Sequence, residues 1–145
     1  MKKSTLAIAA LITATIATSA NARNDRVKFD IQPLLDSGKA KNALMDVPLY
    51  FGDNKPGGIT KTYGEVSTNK KTNAFMKSDK EACEWAMLSA LKALQERAVR
   101  EGMNAVVNIT SNYKNVPFKS KTQYECGAGN VMAGVALKGT LVKVK

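Results

Sequence analysis

Histidine is absent from this 145-residue chain, and its absence excludes several kinds of active site. Without an imidazole there is no Ser-His or Cys-His nucleophilic pair, no HExxH zinc site and no usual general base near neutral pH. A phosphate-binding loop is also missing, because the glycine pairs at 57–58 and 127–129 lack the Gly-Lys-Ser/Thr ending of nucleotide motifs. The 12 acidic residues are scattered and mostly have lysine neighbours. These absences predict that the protein is not an enzyme.

Metal ligands are nearly as scarce. A structural zinc ion takes four Cys, His or carboxylate ligands, and Cys83 with Cys126 supplies at most two. A copper(I) site could add Met87 or Met132 to the cysteines, but methionines on a helix and a strand are more often ordinary core residues. The sequence therefore predicts no metal and no cofactor. Basic residues interleaved with exposed aromatics, which nucleic-acid binding would require, are lacking too, so a nucleic-acid partner is not predicted.

Long apolar runs are also absent, with one exception near the start. Two lysines precede an apolar run over 6–16, and Ala-Asn-Ala follows at 20–22, which is typical of a secretory signal peptide spanning 1–22. This run is shorter than the roughly 20 apolar residues that a transmembrane helix needs, and no later stretch approaches that length. We expect cleavage after Ala22. The first cysteine, Cys83, lies far downstream, so no lipid anchor is predicted, and the mature protein is expected in the periplasm or secreted beyond it.

Acidic residues are fewer than basic residues in the mature chain. Removal of residues 1–22 leaves 123 residues and lowers the 22 basic residues to 20, against 12 acidic ones, for a net charge of +8. A chain of this length fits one small domain. Its charge favours anionic partners such as lipopolysaccharide, phospholipid head groups or nucleic acid, although basic exported proteins are also common without such a partner.

The clearest local signal is a helix that begins after Ser78 and ends at Gly102. Residues 78–81 form a capping box, and about 20 residues without proline or glycine follow. Glycine commonly ends a helix, because it adopts the left-handed conformation without steric cost. On a helical wheel, the face that should contact the core consists of Cys83, Ala86, Met87, Ala90, Leu91, Leu94 and Ala98. A second apolar stripe consists of Trp85, Leu88 and Val99. Either the segment 23–46 covers this stripe, or the stripe contacts another molecule.

The residues around the helix predict a small sheet. Apolar and β-branched patterns indicate strands at 47–51, 59–66, 104–110 and 131–144, with polar loops at 67–77 and 115–130. The first two strands should pair as a hairpin, the helix should cross over between parallel neighbours, and Gly139 should mark a bulge. The predicted fold is α+β, a single long helix packed on one face of a small mixed sheet of about four strands. Its parts are the signal peptide at 1–22, a variable lead-in at 23–46 and a single α/β domain at 47–145.

Three motifs in a fixed order resemble those of a known family. They are Tyr63-Gly64-Glu65-Val66, the end of the helix with the next strand at 98–107, and the stretch Gly134 to Val142. Together they are similar to YbjQ-like α/β proteins and to the globular domain of the Rcs outer-membrane stress-sensor lipoprotein, over about two thirds of the chain. The resemblance implies a non-enzymatic role: the sensor is a disulfide-held signalling protein, and the YbjQ-like proteins carry a heavy-metal-binding label without a defined ligand set.

The two cysteines are expected to meet. Two cysteines in a small exported chain usually pair, because the periplasm oxidises them and a small core benefits from the crosslink. Cys83 lies in the first turn of the predicted helix, and Cys126 lies in a loop that should pass one end of that helix. A Cys83–Cys126 disulfide is therefore predicted. The alternative is a low-pKa thiol at the helix N-terminus that acts as a redox or metal site.

Two functions of different classes fit these observations. The first is a non-enzymatic periplasmic binding or envelope-sensing module that acts through its surface. The second is a ligand-binding protein for a heavy metal or an anionic envelope molecule. The corresponding partners are an envelope protein, an anionic envelope molecule or another copy of this chain.

Overall fold

The structure is a computed structural model that describes residues 22–145. The predicted signal peptide therefore lies outside the described residues, apart from Ala22. The elements are β1 (Asp25–Asp30), α1 (Ile31–Leu35), α2 (Gly38–Ala43), β2 (Leu49–Phe51), β3 (Ile59–Asn73), α3 (Asp79–Arg100), β4 (Ala105–Ser111), β5 (Gln123–Ala128) and β6 (Met132–Val144). A short 3₁₀ helix, Tyr113–Asn115, follows β4. Within the described residues, no helix combines the length and the apolar character needed to cross a bilayer.

Helix α3 begins and ends where the sequence predicts. The Ser78 hydroxyl accepts a hydrogen bond from the Glu81 backbone N–H at 3.1 Å, which satisfies one of the free donors of the first turn. Gly102 follows the last turn with a φ of 74°, a conformation that glycine adopts without a Cβ penalty. The whole predicted core face is buried, together with Ala82, Leu88 and Gln95. This face packs mainly across β3 and β6.

The six strands form one mixed sheet, so the α+β class is confirmed and the expected number of about four strands is wrong. Strand β6 is central. Strand β3 pairs with one edge of β6 along its whole length, whereas β4 and β5 both pair with the other edge. Strand β2 continues the sheet beyond β4, and β1 continues it beyond β5. The two strands that the sequence did not predict, β1 and β5, therefore pair with each other, and β1 comes from the segment 23–46.

The predicted hairpin between residues 47–51 and 59–66 is wrong. Strand β2 pairs in parallel with β4, and β3 pairs antiparallel with β6. Strands β3 and β4 do run parallel across helix α3, but they are not neighbours, because β6 lies between them. The central position places the alternating apolar residues of β6 under α3, at Ala133, Val135, Leu137 and Leu141.

Strand β3 also continues through the first part of the predicted polar loop at 67–77. Its pairing with β6 extends to Asn73, which lies opposite Met132. Polar and charged residues suit this position, because β3 is an edge strand and lysines discourage the pairing of its free edge with other chains. Lys70 and Lys71 are both exposed on this strand. The polarity that suggested a loop is therefore the polarity of an edge strand.

A β-bulge interrupts the pairing of β4 with β6. Asn108 and Ile109 together face the single residue Gly139, because the register shifts at this point. The extra residue is Asn108, with a φ of 52°, so the bulge lies in β4 rather than at Gly139 where it was predicted. The bulge reverses the alternation of β4: Ile109 joins the core under α3, whereas Val107 belongs to a smaller cluster with Val142.

Gly139→Ala should lower the free energy of unfolding by about 1–3 kcal/mol, the usual cost of overpacking a core. The added Cβ would lie 2.8 Å from Val106 Cγ1 and 3.4 Å from Leu94 Cδ1, and both side chains are buried. The midpoint of chemical denaturation measures the change. Gly57→Ala is the matched control, because no atom lies within 4 Å of its added methyl group. If the two variants were equally stable, the close packing at Gly139 would be disproved.

Candidate functional site

Cys83 in α3 and Cys126 in β5 form a disulfide, as predicted. Their Cα atoms are 5.9 Å apart, within the usual range for a bridge, and both residues are fully buried. The bond joins the N-terminal part of α3 to β5, and through β5 to β1. Since each sulfur is bonded to the other, neither is a thiolate that could bind a soft metal or act as a nucleophile.

The predicted partner surface of Trp85, Leu88 and Val99 is not one continuous stripe. Leu88 is only 1% exposed and belongs to the core, whereas Trp85 is 37% and Val99 53% exposed. The two exposed residues are 14 positions apart, which corresponds to about 21 Å along a helix axis. They are therefore separate surface positions, and Leu88 is not accessible to a partner.

The segment 23–46 contacts α3 at several places, beginning with an ion pair between Arg23 and Asp79. The Lys39 ammonium of α2 lies 5.4 Å from the centroid of the Trp85 ring and 3.9 Å from the Glu84 carboxylate. Further along α3, the side-chain amide of Gln95 hydrogen-bonds to the backbone of Met45. The sequence left open whether the segment 23–46 or another molecule covers Trp85. In the structure, the segment 23–46 covers it in part.

A small cavity of about 170 Å³ lies beside the start of α3. It is lined by Phe29, Asp30, Pro33, Leu34, Lys80, Glu84 and Tyr124. Tyr124 is 1% exposed and its hydroxyl has no hydrogen-bond partner. Burial, and then the negative charge of Glu84, raise the pKa of Tyr124 well above the usual range. The hydroxyl therefore stays protonated near neutral pH and does not act as a base there.

Positive charge on the described surface is mostly uncompensated. Some carboxylates are paired: Lys119 lies 2.6 Å from Asp53, and this hydrogen bond lowers the pKa of the Asp53 carboxyl. The lysines that lie within 4.0 Å of a carboxylate among residues 22–145 are Lys39, Lys92, Lys119 and Lys138. None of the other lysines of this part of the chain has a carboxylate within that distance.

Four large apolar side chains lie exposed at one end of the sheet, and sequence reasoning missed them as a group. They are Phe75, Met76, Val131 and Met132, exposed by 62%, 89%, 62% and 47%, and we call them the apolar tip. A signal was present, because Phe75 and Met76 interrupt an otherwise polar stretch at 67–77. Their proximity to Val131 was not predictable from local pattern, since it follows from the pairing of β3 with β6.

Comparison of the chain with protein-family models, with curated proteins and with solved structures finds no match in any of the three. What the surface can bind is therefore inferred from the residues that form it. Those residues offer two features that a partner could recognise, the apolar tip and the uncompensated lysines.

Proposed function

We propose that the protein is a non-enzymatic binding or sensing module of the bacterial envelope, acting through its surface. The observation that carries this proposal is the apolar tip, a group of large exposed apolar side chains on a scaffold crosslinked by the Cys83–Cys126 disulfide. Scattered single apolar residues are normal on a protein surface, but a cluster rimmed by polar residues is typical of an interaction site.

The sequence supports the same proposal from a different direction. A chain without histidine lacks the most common general base, and the order of its motifs resembles that of a non-enzymatic envelope sensor. The predicted signal peptide places such a module in the periplasm. The disulfide is consistent with an oxidising compartment, where bonds of this kind form and persist.

The alternative is a ligand-binding protein, and the observations favour an anionic envelope molecule over a heavy metal as its ligand. Both cysteine sulfurs are used in the disulfide, so a soft metal would find no thiolate. Residues 22–145 also contain no group of three or more His, Cys, Asp or Glu side chains that could hold an ion. The many lysines without a carboxylate partner, in contrast, suit phosphate or carboxylate groups.

Affinity capture from a solubilised envelope extract tests the proposal. The exported protein serves as bait, and mass spectrometry identifies both proteins and lipids in the eluate. A single enriched protein supports the binding or sensing module, and an enriched anionic lipid alone supports the alternative. The control bait is an unrelated basic protein of similar size and charge. If this protein and the control bait capture the same proteins and lipids, both functions are contradicted.

A further inference from the structure

The apolar tip is built from two turns that the sheet brings together. One turn joins β3 to α3 and carries Phe75 and Met76, and the other joins β5 to β6. The backbone N–H of Ala74 donates to the carbonyl of Val131 at 2.7 Å, next to the last pair of the β3–β6 ladder. This hydrogen bond joins the two turns directly. The hydrogen bond therefore brings the two pairs of exposed apolar side chains to the same end of the sheet.

The backbone at Met76 is unusual for its residue type. The Lys77 N–H donates to the Ala74 carbonyl and closes a β-turn, in which Met76 has a φ of 59°. Glycine or asparagine normally occupies such a position, because a larger residue there is disfavoured sterically. Met76 is also the most exposed large apolar residue described, so its side chain does little to hold the fold together. A disfavoured conformation that presents an apolar side chain to solvent points to a role outside the fold.

Lysines surround the apolar tip. Lys71 and Lys77 flank the first turn, and Lys80 follows in the first turn of α3; none lies within 4.0 Å of a carboxylate among residues 22–145. The Lys77 ammonium lies 3.1 Å from the Asn73 carbonyl, which holds it beside the turn. Arg23 also donates to Asn130 in the second turn at 3.2 Å, but its charge is compensated by Asp25 and Asp79, so it does not add to this set of lysines. The predicted cleavage after Ala22 would add an α-ammonium group at the same place.

We propose that the apolar tip docks onto the surface of an anionic phospholipid bilayer. In this arrangement Phe75, Met76, Val131 and Met132 enter the boundary between head groups and acyl chains, while the flanking lysines contact lipid phosphates. The proposal rests on the envelope function proposed above and names its target. A second copy of the chain fits less well, because it would bring two basic rims together, whereas an anionic bilayer complements both the charge and the apolar side chains.

Co-sedimentation with vesicles tests the docking, using protein purified from the periplasm. Vesicles of phosphatidylglycerol and phosphatidylethanolamine should bind the protein, those of phosphatidylcholine should bind it at least tenfold more weakly, and high salt should weaken the binding. Phe75→Ser/Met76→Ser should weaken binding at least tenfold, since two large apolar groups no longer leave water. Lys77→Gln should weaken it about fivefold, the effect expected for one juxtamembrane lysine.

Matched variants separate docking from a general loss of structure. Ile59→Ser/Val99→Ser removes two exposed apolar side chains, 40% and 53% exposed, at the ends of β3 and α3 that lie away from the tip, and it should bind as the wild type does. Met76→Gly relieves the disfavoured backbone, so its denaturation midpoint should be unchanged or higher while its binding falls. A variant that becomes more stable and yet binds less cannot be explained by misfolding.

Fluorescence locates the tip relative to the bilayer. In a Trp85→Phe background, Phe75→Trp should show a blue shift and quenching by brominated lipid when anionic vesicles are added, whereas Ile59→Trp should show neither.

Absence of vesicle binding at low salt, or binding that the tip substitutions leave unchanged, would overturn the proposal. A dimer that is lost in Phe75→Ser/Met76→Ser, without vesicle binding, would assign the patch to a second copy and overturn it as well. In either case, capture of an envelope protein would leave the broader function intact.

Discussion

Replacing Cys83 and Cys126 together by alanine should lower the free energy of unfolding by up to about 4 kcal/mol. The bond closes a loop with a sequence separation of 43, and the chain-entropy estimate for a loop of that length is about 4 kcal/mol. The total free energy of unfolding of a small domain is roughly 5–15 kcal/mol, so this loss would be a large share of it. Alanine suits both positions, because the cysteines are fully buried and a polar replacement would add a cost of its own.

Thermal and chemical denaturation of the oxidised protein, the reduced protein and the double variant measure this effect. The reduced protein and the double variant should both have melting temperatures well below that of the oxidised protein. Vesicle binding measured below those melting temperatures should persist, because the bond's role is structural. A thiol count in denaturant is the control for the starting material. Two reactive thiols in protein isolated without reducing agent would rule out the bridge and support the alternative, a redox or metal-binding thiol.

Helix α3 could be predicted because its signals are local. Ser78 and Gly102 mark its two ends through their own backbone chemistry, and the spacing of apolar residues between them identifies the buried face. The disulfide could be predicted for a related reason, since a chain with two cysteines leaves only one pairing within it. Both predictions needed no knowledge of which strands are neighbours.

Strand pairing could not be predicted in the same way. Strand β6 comes last in the chain and yet lies between β3 and β4, so the order of the sheet depends on contacts between distant residues. Strand β5 was missed because Glu125 and Gly127 are weak strand residues when read alone. In the structure, Glu125 is buried with the Arg26 guanidinium 2.6 Å from its carboxylate, and the Tyr113 ring covers Gly127. Their partners come from other segments and leave no local pattern.

The apolar tip has the same origin as the missed strands. Phe75 and Val131 are far apart in sequence, and they become neighbours only through the pairing of Asn73 with Met132. The stripe of Trp85, Leu88 and Val99, in contrast, was derived from a helical wheel. A wheel gives the direction of each side chain but not what covers it, so it could not distinguish buried Leu88 from exposed Val99.

Gln95→Glu should lower the free energy of unfolding at pH 7 by about 3–5 kcal/mol, the cost of an uncompensated buried charge. Gln95 belongs to α3, is 1% exposed and contacts the segment before β2. Its Nε2 donates to the carbonyls of Met45 and Val47, both at 2.8 Å, and its Oε1 accepts from the Met45 N–H at 2.8 Å. A carboxylate has the same shape but cannot donate, so it would face two carbonyl oxygens without a proton between them.

The deficit of Gln95→Glu should depend on pH, and its sign follows from the new carboxyl group. Burial and the two carbonyl oxygens raise the pKa of this carboxyl in the folded state above its unfolded value of about 4.3, because protonation restores a donor. The folded variant then binds more protons than the unfolded chain at intermediate pH, so its stability relative to the wild type falls as pH rises above about 4.

Gln95→Met is the matched control: it has a similar length and no charge, and its deficit of about 1–3 kcal/mol should not change with pH. Chemical denaturation of the three proteins at pH 4 and pH 7 compares these differences. Equal deficits for both variants at both pH values would mean that the contacts of Gln95 with Met45 and Val47 do not hold this segment against α3.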